Sequence, residues 1–406
     1  MKHIVACIAV MASAALASAF ACAQSGCPGD LTGDGKVDGV DLAEVLTNWG
    51  TCSAGSSITG VFPPTASTSG RTAVALVGVN LGSTAAISID GIAVTTFQVV
   101  SPTTVTFVAP TGTAGSKSIV LRNSQSQPLA SASIAYAPLP PSWAEVLEYC
   151  PNPSVVTNDS MRAAITATGL PWRVRDRATQ IEMLLVPPGT FDMGCSASNL
   201  SACDQFESPQ HSVTITRAFY LGRYEVTQAQ WSARMGSNPS FFQGPNYPSS
   251  SNRPVDGVSW MAIQGFLAAT SMRLPTEAEW EFSCRAGTPT AFYNGTSDDS
   301  LVGDLAWYLP NSASQTRTVG SKAANALGFH DMLGNAMEFV NDWAGFYPID
   351  PQIDPAGPSK GIYRSLRGGS WSGTTQTVRS SARLYVTPEY TGVSFDALGF
   401  RVARNP

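Results

Sequence analysis

Near the N-terminus, Asp30, Thr32, Asp34, Lys36, Asp38 and Asp41 have the residue types and spacing of a calcium loop. They fall at positions 1, 3, 5, 7, 9 and 12 of the twelve-residue loop whose oxygen ligands wrap one hard cation, Lys36 contributing through its backbone carbonyl. Gly35 sits at position 6, where the chain must turn sharply. Leu42, Val45, Leu46 and Trp49 follow at helical spacing and supply the apolar face that anchors such a loop. The competing reading is an Asp/Gly-rich turn without metal. Elsewhere the supply of reactive groups is thin. The chain has three histidines, His3, His211 and His330, and neither an H-E-x-x-H pair nor a phosphate loop. Glu277, Glu279 and Glu281 are closely spaced, but they lie in a helix-start pattern and read as folding residues rather than an acid–base pair.

The elements that must position these groups begin with a leader. Lys2 and His3 precede an apolar run from Ile4 to Phe20, and Ala21-Cys22-Ala23 offers a small-residue cleavage site, so residues 1–23 read as a signal peptide. The mature chain is expected to be secreted or at the cell surface, with no membrane span. A lipid anchor on Cys22 is the alternative. Past the leader, Cys27, Cys52, Cys150, Cys195, Cys203 and Cys284 remain, and in an exported chain they are expected to form disulfides. Spacing favours Cys27–Cys52 and Cys195–Cys203, which leaves Cys150 with Cys284 by elimination.

Composition sets the class. Of 406 residues only 13% are charged, while Gly (36) and Pro (28) are abundant, which favours β-rich and turn-rich domains over long solvated helices. A net charge of -5 gives no basic stripe for phosphates, so no nucleic-acid partner is expected. Residues 24–54 hold the calcium loop and its helix and resemble a single type I dockerin, or EF-hand-like, repeat. That resemblance implies a cohesin-like partner, although dockerins ordinarily use two such repeats. Residues 55–137 show Val/Ile/Thr-rich runs separated by turns, the pattern of an all-β immunoglobulin-like sandwich. Ile58-Thr59-Gly60 through Pro63, Val77–Gly82 and Val108-Ala109-Pro110 resemble an IPT/TIG domain, which implies a structural spacer. Residues 138–177 read as a Pro-rich linker carrying one short helix around Trp143–Tyr149.

Residues 178–406 carry a series of strings in a fixed order: MLLVPPGTFDMG, ESPQHSVTI, FYLGRYEVTQAQW, RPVDGVSW, RLPTEAEWEFSCRAG, LGNAMEFVNDW, LRGGSW and LGFRVARNP. The series resembles the formylglycine-generating-enzyme (sulfatase-modifying-factor) family, which implies an α+β, C-type-lectin-like fold. By that resemblance the carbonyls of Leu333, Gly334 and Ala336 and the carboxylate of Glu338 surround a structural calcium, oxygen ligands that suit it. Active members of the family hold copper between two cysteine thiolates just beyond the Gly-Gly-Ser-aromatic segment. Here that segment is Gly368–Trp371, the matching positions are about Gly373 and Val378, and no cysteine follows Cys284. Neither glycine nor valine can coordinate Cu(I), so no copper is expected. A branch that makes sulfoxides with iron depends on a histidine-rich site, and two histidines past the leader are too few for it, so no iron is expected. Arg379, Arg383 and Arg401 read as ion-pairing residues, with a substrate groove as the alternative. The expectation is a calcium-stabilised, non-catalytic module for a protein or glycan ligand. The rival is an oxidoreductase-type enzyme that aids sulfatase maturation.

Overall fold

Alternating burial along Ala73–Val79, with Val74 and Leu76 inward, builds one face of a two-sheet sandwich. The protein is represented by a computed structural model that describes residues 55–138, 140–195, 203–390, 392 and 395–406, so the calcium-loop positions 30–41 lie outside the described residues. The chain divides into two compact units between Leu139 and Pro140. In the first, strands β1 (Ser57–Phe62), β2 (Thr65–Ser67), β3 (Ala73–Val79), β4 (Ala86–Ile89), β5 (Ile92–Ala93), β6 (Phe97–Ser101), β7 (Thr104–Val108), β8 (Gly115–Arg122) and β9 (Pro128–Ala137) form two sheets. Their orders are β1-β3-β7-β6 and β2-β9-β8-β4-β5. Leu76, Val105, Phe107, Ile119 and Leu121 fill the space between them, the sandwich that the turn spacing predicts.

The second unit is α+β. Strands β10 (Ala144–Glu148), β11 (Arg173–Asp176), β12 (Glu182–Val186), β15 (Phe219–Gly222) and β21 (Ala403–Arg404) make one sheet. The C-terminal pair thus closes on strands laid down far earlier in the chain. Strands β13 (Gly189–Met193), β14 (His211–Ile215) and β17 (Gln352–Ile353) make a second sheet. A third holds β16 (Met337–Trp343), β18 (Arg364–Arg367), β19 (Arg383–Val386) and β20 (Leu398–Gly399). Helices α1 (Asp159–Ala167), α2 (Gln228–Met235), α3 (Trp260–Thr270) and α4 (Glu277–Arg285) accompany the sheets. Among the described residues no helix is long and apolar enough to cross a membrane.

Two readings need correction. The stretch expected to be a linker with a helix at Trp143–Tyr149 is instead integral to the second unit. Ala144–Glu148 is a strand paired antiparallel with Arg173–Asp176, and the helix lies later, at Asp159–Ala167. Val174 and Ala144 join the core there, so long-range pairing outweighs a local helical pattern. The second correction concerns sulfur. Cys195 and Cys203 are joined as expected, but Cys284 is a buried free thiol, whereas Cys150 is disulfide-bonded. Cys284 sits on the inward face of α4, where burial pushes its thiol up to about 12 and leaves it inert rather than reactive. The capping box is as expected: Thr276 Oγ1 accepts from the Glu279 backbone N–H, and Glu279 accepts in return from the Thr276 N–H.

Candidate functional site

Two adjoining loops hold the positions that sequence reasoning singled out in the second unit. The first leaves β18 through Gly368 and Gly369, both at positive φ. A Cβ on Gly369 would stand 2.6 Å from the Thr377 carbonyl oxygen and 2.7 Å from the Val378 side chain, so glycine is required for the loop to fold back on itself. Trp371 N–H donates to the Asn335 carbonyl at 2.8 Å, and Leu309 N–H donates to the Gly373 carbonyl at 2.9 Å. Val378 is fully buried. A side chain added at Gly373 would meet Thr377 Oγ1 at 2.5 Å. The two positions therefore offer a backbone carbonyl already in use and a core methyl pair, and this site does not fit copper.

The second loop, 333–338, is fixed from several sides. Gly334 N–H donates to the Gly368 carbonyl and Asn335 N–H to the Trp307 carbonyl, both at 2.8 Å. Glu225 accepts from Asn335 Nδ2 at 2.7 Å and from Ala336 N–H at 2.9 Å. Glu338 is the residue expected to hold calcium with the carbonyls of Leu333, Gly334 and Ala336. Its carboxylate instead accepts from Arg401 Nε at 2.6 Å, Arg401 Nη2 at 2.5 Å and Trp280 Nε1 at 2.7 Å. Arg401 is itself fully buried. In this structure a guanidinium neutralises the Glu338 carboxylate, and the two form a buried ion pair. Among the described residues no group of three or more His, Cys, Asp or Glu side chains is placed to hold a metal.

Arg401 also serves two further acids. Burial raises Glu225 well above the usual carboxylate range, with Asp331 and Glu338 adding to the effect and Arg401 opposing it. Burial likewise pushes Asp331 up to about 6, again with Arg401 pulling it back. One guanidinium thus stands among three buried carboxylates, and Arg401 extends its remaining donors to the carbonyls of Gly222 and His330, both at 3.0 Å.

The other arginines considered for a groove are also committed to pairs. Arg379 grips Glu207 with two bonds of 2.6 Å. Arg383 grips Glu277 at 2.7 and 2.8 Å. Arg367 pairs with Glu281, which also accepts from Arg285 at 2.8 Å. Burial alone would raise Glu277, but Arg383 and Arg367 outweigh it and hold the acid below its ordinary range. The helix acids therefore act in folding, as their capping pattern indicates. The two histidines are likewise structural in their contacts: His211 Nδ1 lies 3.2 Å from the Pro209 carbonyl, and His330 Nδ1 lies 2.9 Å from the Lys322 carbonyl. A Gly-x-Ser-x-Gly string does occur at 357–361. It lies between β17 and β18 in exposed chain with no helix after it, whereas a nucleophile elbow needs a strand-to-helix turn.

Sequence reasoning missed an aromatic row on the surface. Phe346 stacks on Phe206 with ring centres 4.8 Å apart, Phe206 meets Tyr385 at 5.4 Å, and Tyr385 meets Tyr363 at 5.4 Å. Phe346 is 72% exposed, and Tyr363 and Tyr385 are each 43% exposed. Four rings from four separate segments leave no local signal in the sequence. A contiguous exposed aromatic patch of this kind marks an interaction surface more often than chance apolar exposure does.

Comparison with known proteins gives two family matches. The sulfatase-modifying factor enzyme 1-like domain matches residues 167–406, and the IPT/TIG domain matches residues 56–137. The formylglycine-generating enzyme of Streptomyces coelicolor is 31% identical over 294 residues, covering 57% of this chain and 91% of that protein. The enzyme of the same name from Mus musculus is 26% identical over 283 residues, covering 55% of this chain and 74% of that protein. The serine/threonine-protein kinase pkn1 of Chlamydia pneumoniae is 30% identical over 248 residues, but the chain spans only 38% of its length. Among solved structures, PvdO from Pseudomonas aeruginosa is similar with a TM-score of 0.49 and 26% identity, over 58% of this chain and 98% of that one.

Proposed function

This chain belongs to the sulfatase-modifying factor enzyme 1-like family, and from that premise we propose that its C-terminal unit is a non-catalytic binding module of a secreted or cell-surface protein. The observation that carries the reading is the pair Gly373 and Val378, neither of which has an atom that can ligate Cu(I), with no cysteine in the chain after Cys284. The exposed row Phe346, Phe206, Tyr385 and Tyr363 supports it further, because rigid rings offer large contact area at small entropic cost. The ligand on this reading is a protein or a glycan. A screen against glycans and sulfatase-derived peptides finds it, and Phe346→Ala and Tyr385→Ala are expected to remove the binding.

The decisive assay offers the full chain a sulfatase-motif peptide with copper and oxygen, followed by mass spectrometry for the aldehyde. No turnover above a no-enzyme control is expected, and aldehyde formation by the unaltered protein would overturn the reading. The rival, an oxidoreductase that aids sulfatase maturation, draws on relatives named formylglycine-generating enzyme and hercynine oxygenase. Stoichiometric copper or iron in the purified protein would favour that rival.

On the same reading the N-terminal loop binds calcium through Asp30, Thr32, Asp34, Lys36, Asp38 and Asp41, and its partner is cohesin-like. Asp30→Ala and Asp41→Ala each remove a charged ligand, and each is expected to weaken calcium binding by at least on the order of 10-fold, the loss that follows even when an outer partner of a metal ligand is removed. Calorimetry decides this. Equal affinity in the wild type and both variants would refute the assignment.

A further inference from the structure

A cavity of about 750 Å³ opens on the second unit, away from the residues of the aromatic row and of the Gly373 loop, and is lined by segments 154–158, 286–295 and 323–330 with Arg223 and Leu305. Its size is that of a small-molecule site. In a chain of net charge -5 its lining contains no aspartate or glutamate. The lining side chains that can carry positive charge are Arg223 and His330.

These two groups are held together. His330 N–H donates to the Arg223 carbonyl at 3.1 Å, and the guanidinium and the imidazole both pack on the ring of Tyr224, each with its centre 5.2 Å from that ring's centroid. Nδ1 of His330 lies 2.9 Å from the Lys322 carbonyl, so that nitrogen carries the proton and Nε2 remains for another partner. The Arg223 side chain is one-fifth exposed, while its Nε is buried and has no hydrogen-bond partner among the described residues. Behind Arg223, Glu182 stands 3.4 Å away, but its carboxylate is drawn mainly to Arg173 at 2.9 and 3.1 Å and also to Arg175 at 3.4 Å. Arg401 lies on the far side of His330, bonded to its carbonyl. Burial, with Arg223 and Arg401 nearby, holds the His330 imidazole below its ordinary pKa, so the positive charge at the cavity is that of Arg223, and no acid stands among the lining residues. The remaining wall is uncharged, with small residues such as Ala324 beside Tyr293 and Leu305, and it leaves room for the body of a ligand.

We propose that this cavity is a binding site for an oxyanion-bearing small molecule, with Arg223 and His330 receiving the anionic group. Arginine meets carboxylate, sulfate or phosphate oxygens with two parallel donors, and the charge of a bound anion favours protonation of the neighbouring imidazole, whose Nε2–H then supplies a third. The shared chemistry is the oxyanion. Inorganic sulfate, inorganic phosphate and glucuronate separate a free ion from a sugar-borne carboxylate.

The test is titration of the full chain with each probe at constant ionic strength, following the imidazole proton resonances by NMR. With three histidines in the chain, His330→Asn assigns the signal directly. The expected result is a saturable shift of the His330 resonance with the His211 resonance unmoved. Arg223→Gln is expected to weaken binding by about 10-fold or more, the worth of a charge-assisted hydrogen bond. Since Arg223 also touches Glu182, Ala324→Trp serves as a second variant: it fills the cavity without altering a charge and is expected to abolish the shift while leaving the far-ultraviolet circular dichroism and the thermal unfolding midpoint close to those of the wild type. A shift that does not saturate, that chloride reproduces, or that persists in Ala324→Trp would overturn the proposal.

Discussion

Replacing Arg401 with leucine is expected to destabilise the C-terminal unit by about 3–5 kcal/mol, the cost of removing one partner from a buried ion pair. The guanidinium is fully buried and meets Glu338 through bonds of 2.6 and 2.5 Å. Glu225 and Asp331 are already pushed up by burial, and Arg401 is the cation that opposes the rise in both. Its loss strands three carboxylates in the interior. Against a typical domain stability of about 5–15 kcal/mol, that leaves little or nothing. The measurement is urea unfolding, with a lower midpoint and an unchanged slope expected. Two refinements separate this account from a mere packing defect. Arg401→Leu combined with Glu338→Met should recover part of the loss, because the uncompensated charge has gone. The single variant should also become more pH-dependent. Acids whose folded-state pKa lies above the unfolded value contribute stability that is present at low pH and lost as pH rises through the folded value, so the variant should weaken from about pH 5 to about pH 8 more steeply than the wild type. A variant with wild-type stability at pH 8 would sink this account.

Gly334→Ala is expected to be the most damaging single methyl that can be added to the unit. Gly334 sits at φ +78, where a side chain costs about 1–2 kcal/mol. Its Cβ would also lie 2.3 Å from the Trp307 carbonyl oxygen, 2.9 Å from the carbonyl carbon and 3.0 Å from the Trp307 nitrogen. Those are backbone atoms, fixed by the bond from Asn335 N–H to the same carbonyl, and they cannot rotate aside. Overpacking of this kind adds about 1–3 kcal/mol. Gly295→Ala is the control: its φ is +84, yet nothing lies within 4 Å of the added carbon, so only the conformational cost remains. Thermal unfolding of the two variants should show Gly334→Ala melting several degrees below Gly295→Ala, at about 2–4 °C per kcal/mol for a unit of this size. Equal melting temperatures would mean that the 333–338 loop moves freely enough to absorb a methyl group.

The order of the sandwich and the larger domain was legible in the sequence because each is written locally. The alternating runs of 55–137 and the turn residues between them encode the sandwich, whose family match covers residues 56–137, whereas the match of the larger domain begins at residue 167 and not at the expected 178. The start of α4 was legible for the same reason, since Thr276 and Glu279 are three residues apart and meet through the helix they begin. Trp143–Tyr149 misled because strand Ala144–Glu148 draws its partner from Arg173–Asp176, and nothing in its own composition names that partner. Elimination misled at Cys284, since six cysteines need not all pair and a thiol on the inward face of α4 serves as an apolar core group.

What the sequence determined by itself is therefore that the sandwich precedes the larger domain and that thiolates are lacking near Gly373 and Val378, since a missing atom type stays missing in any conformation. What tertiary structure alone decided is where the charges go. Glu338 faces Arg401 across 63 residues, Glu207 faces Arg379 across 172, and four aromatic rings from distant segments share one surface. Those pairings follow from which groups packing drives out of water together: a carboxylate that stays charged when buried needs a cation beside it, and chain spacing does not specify which cation that is.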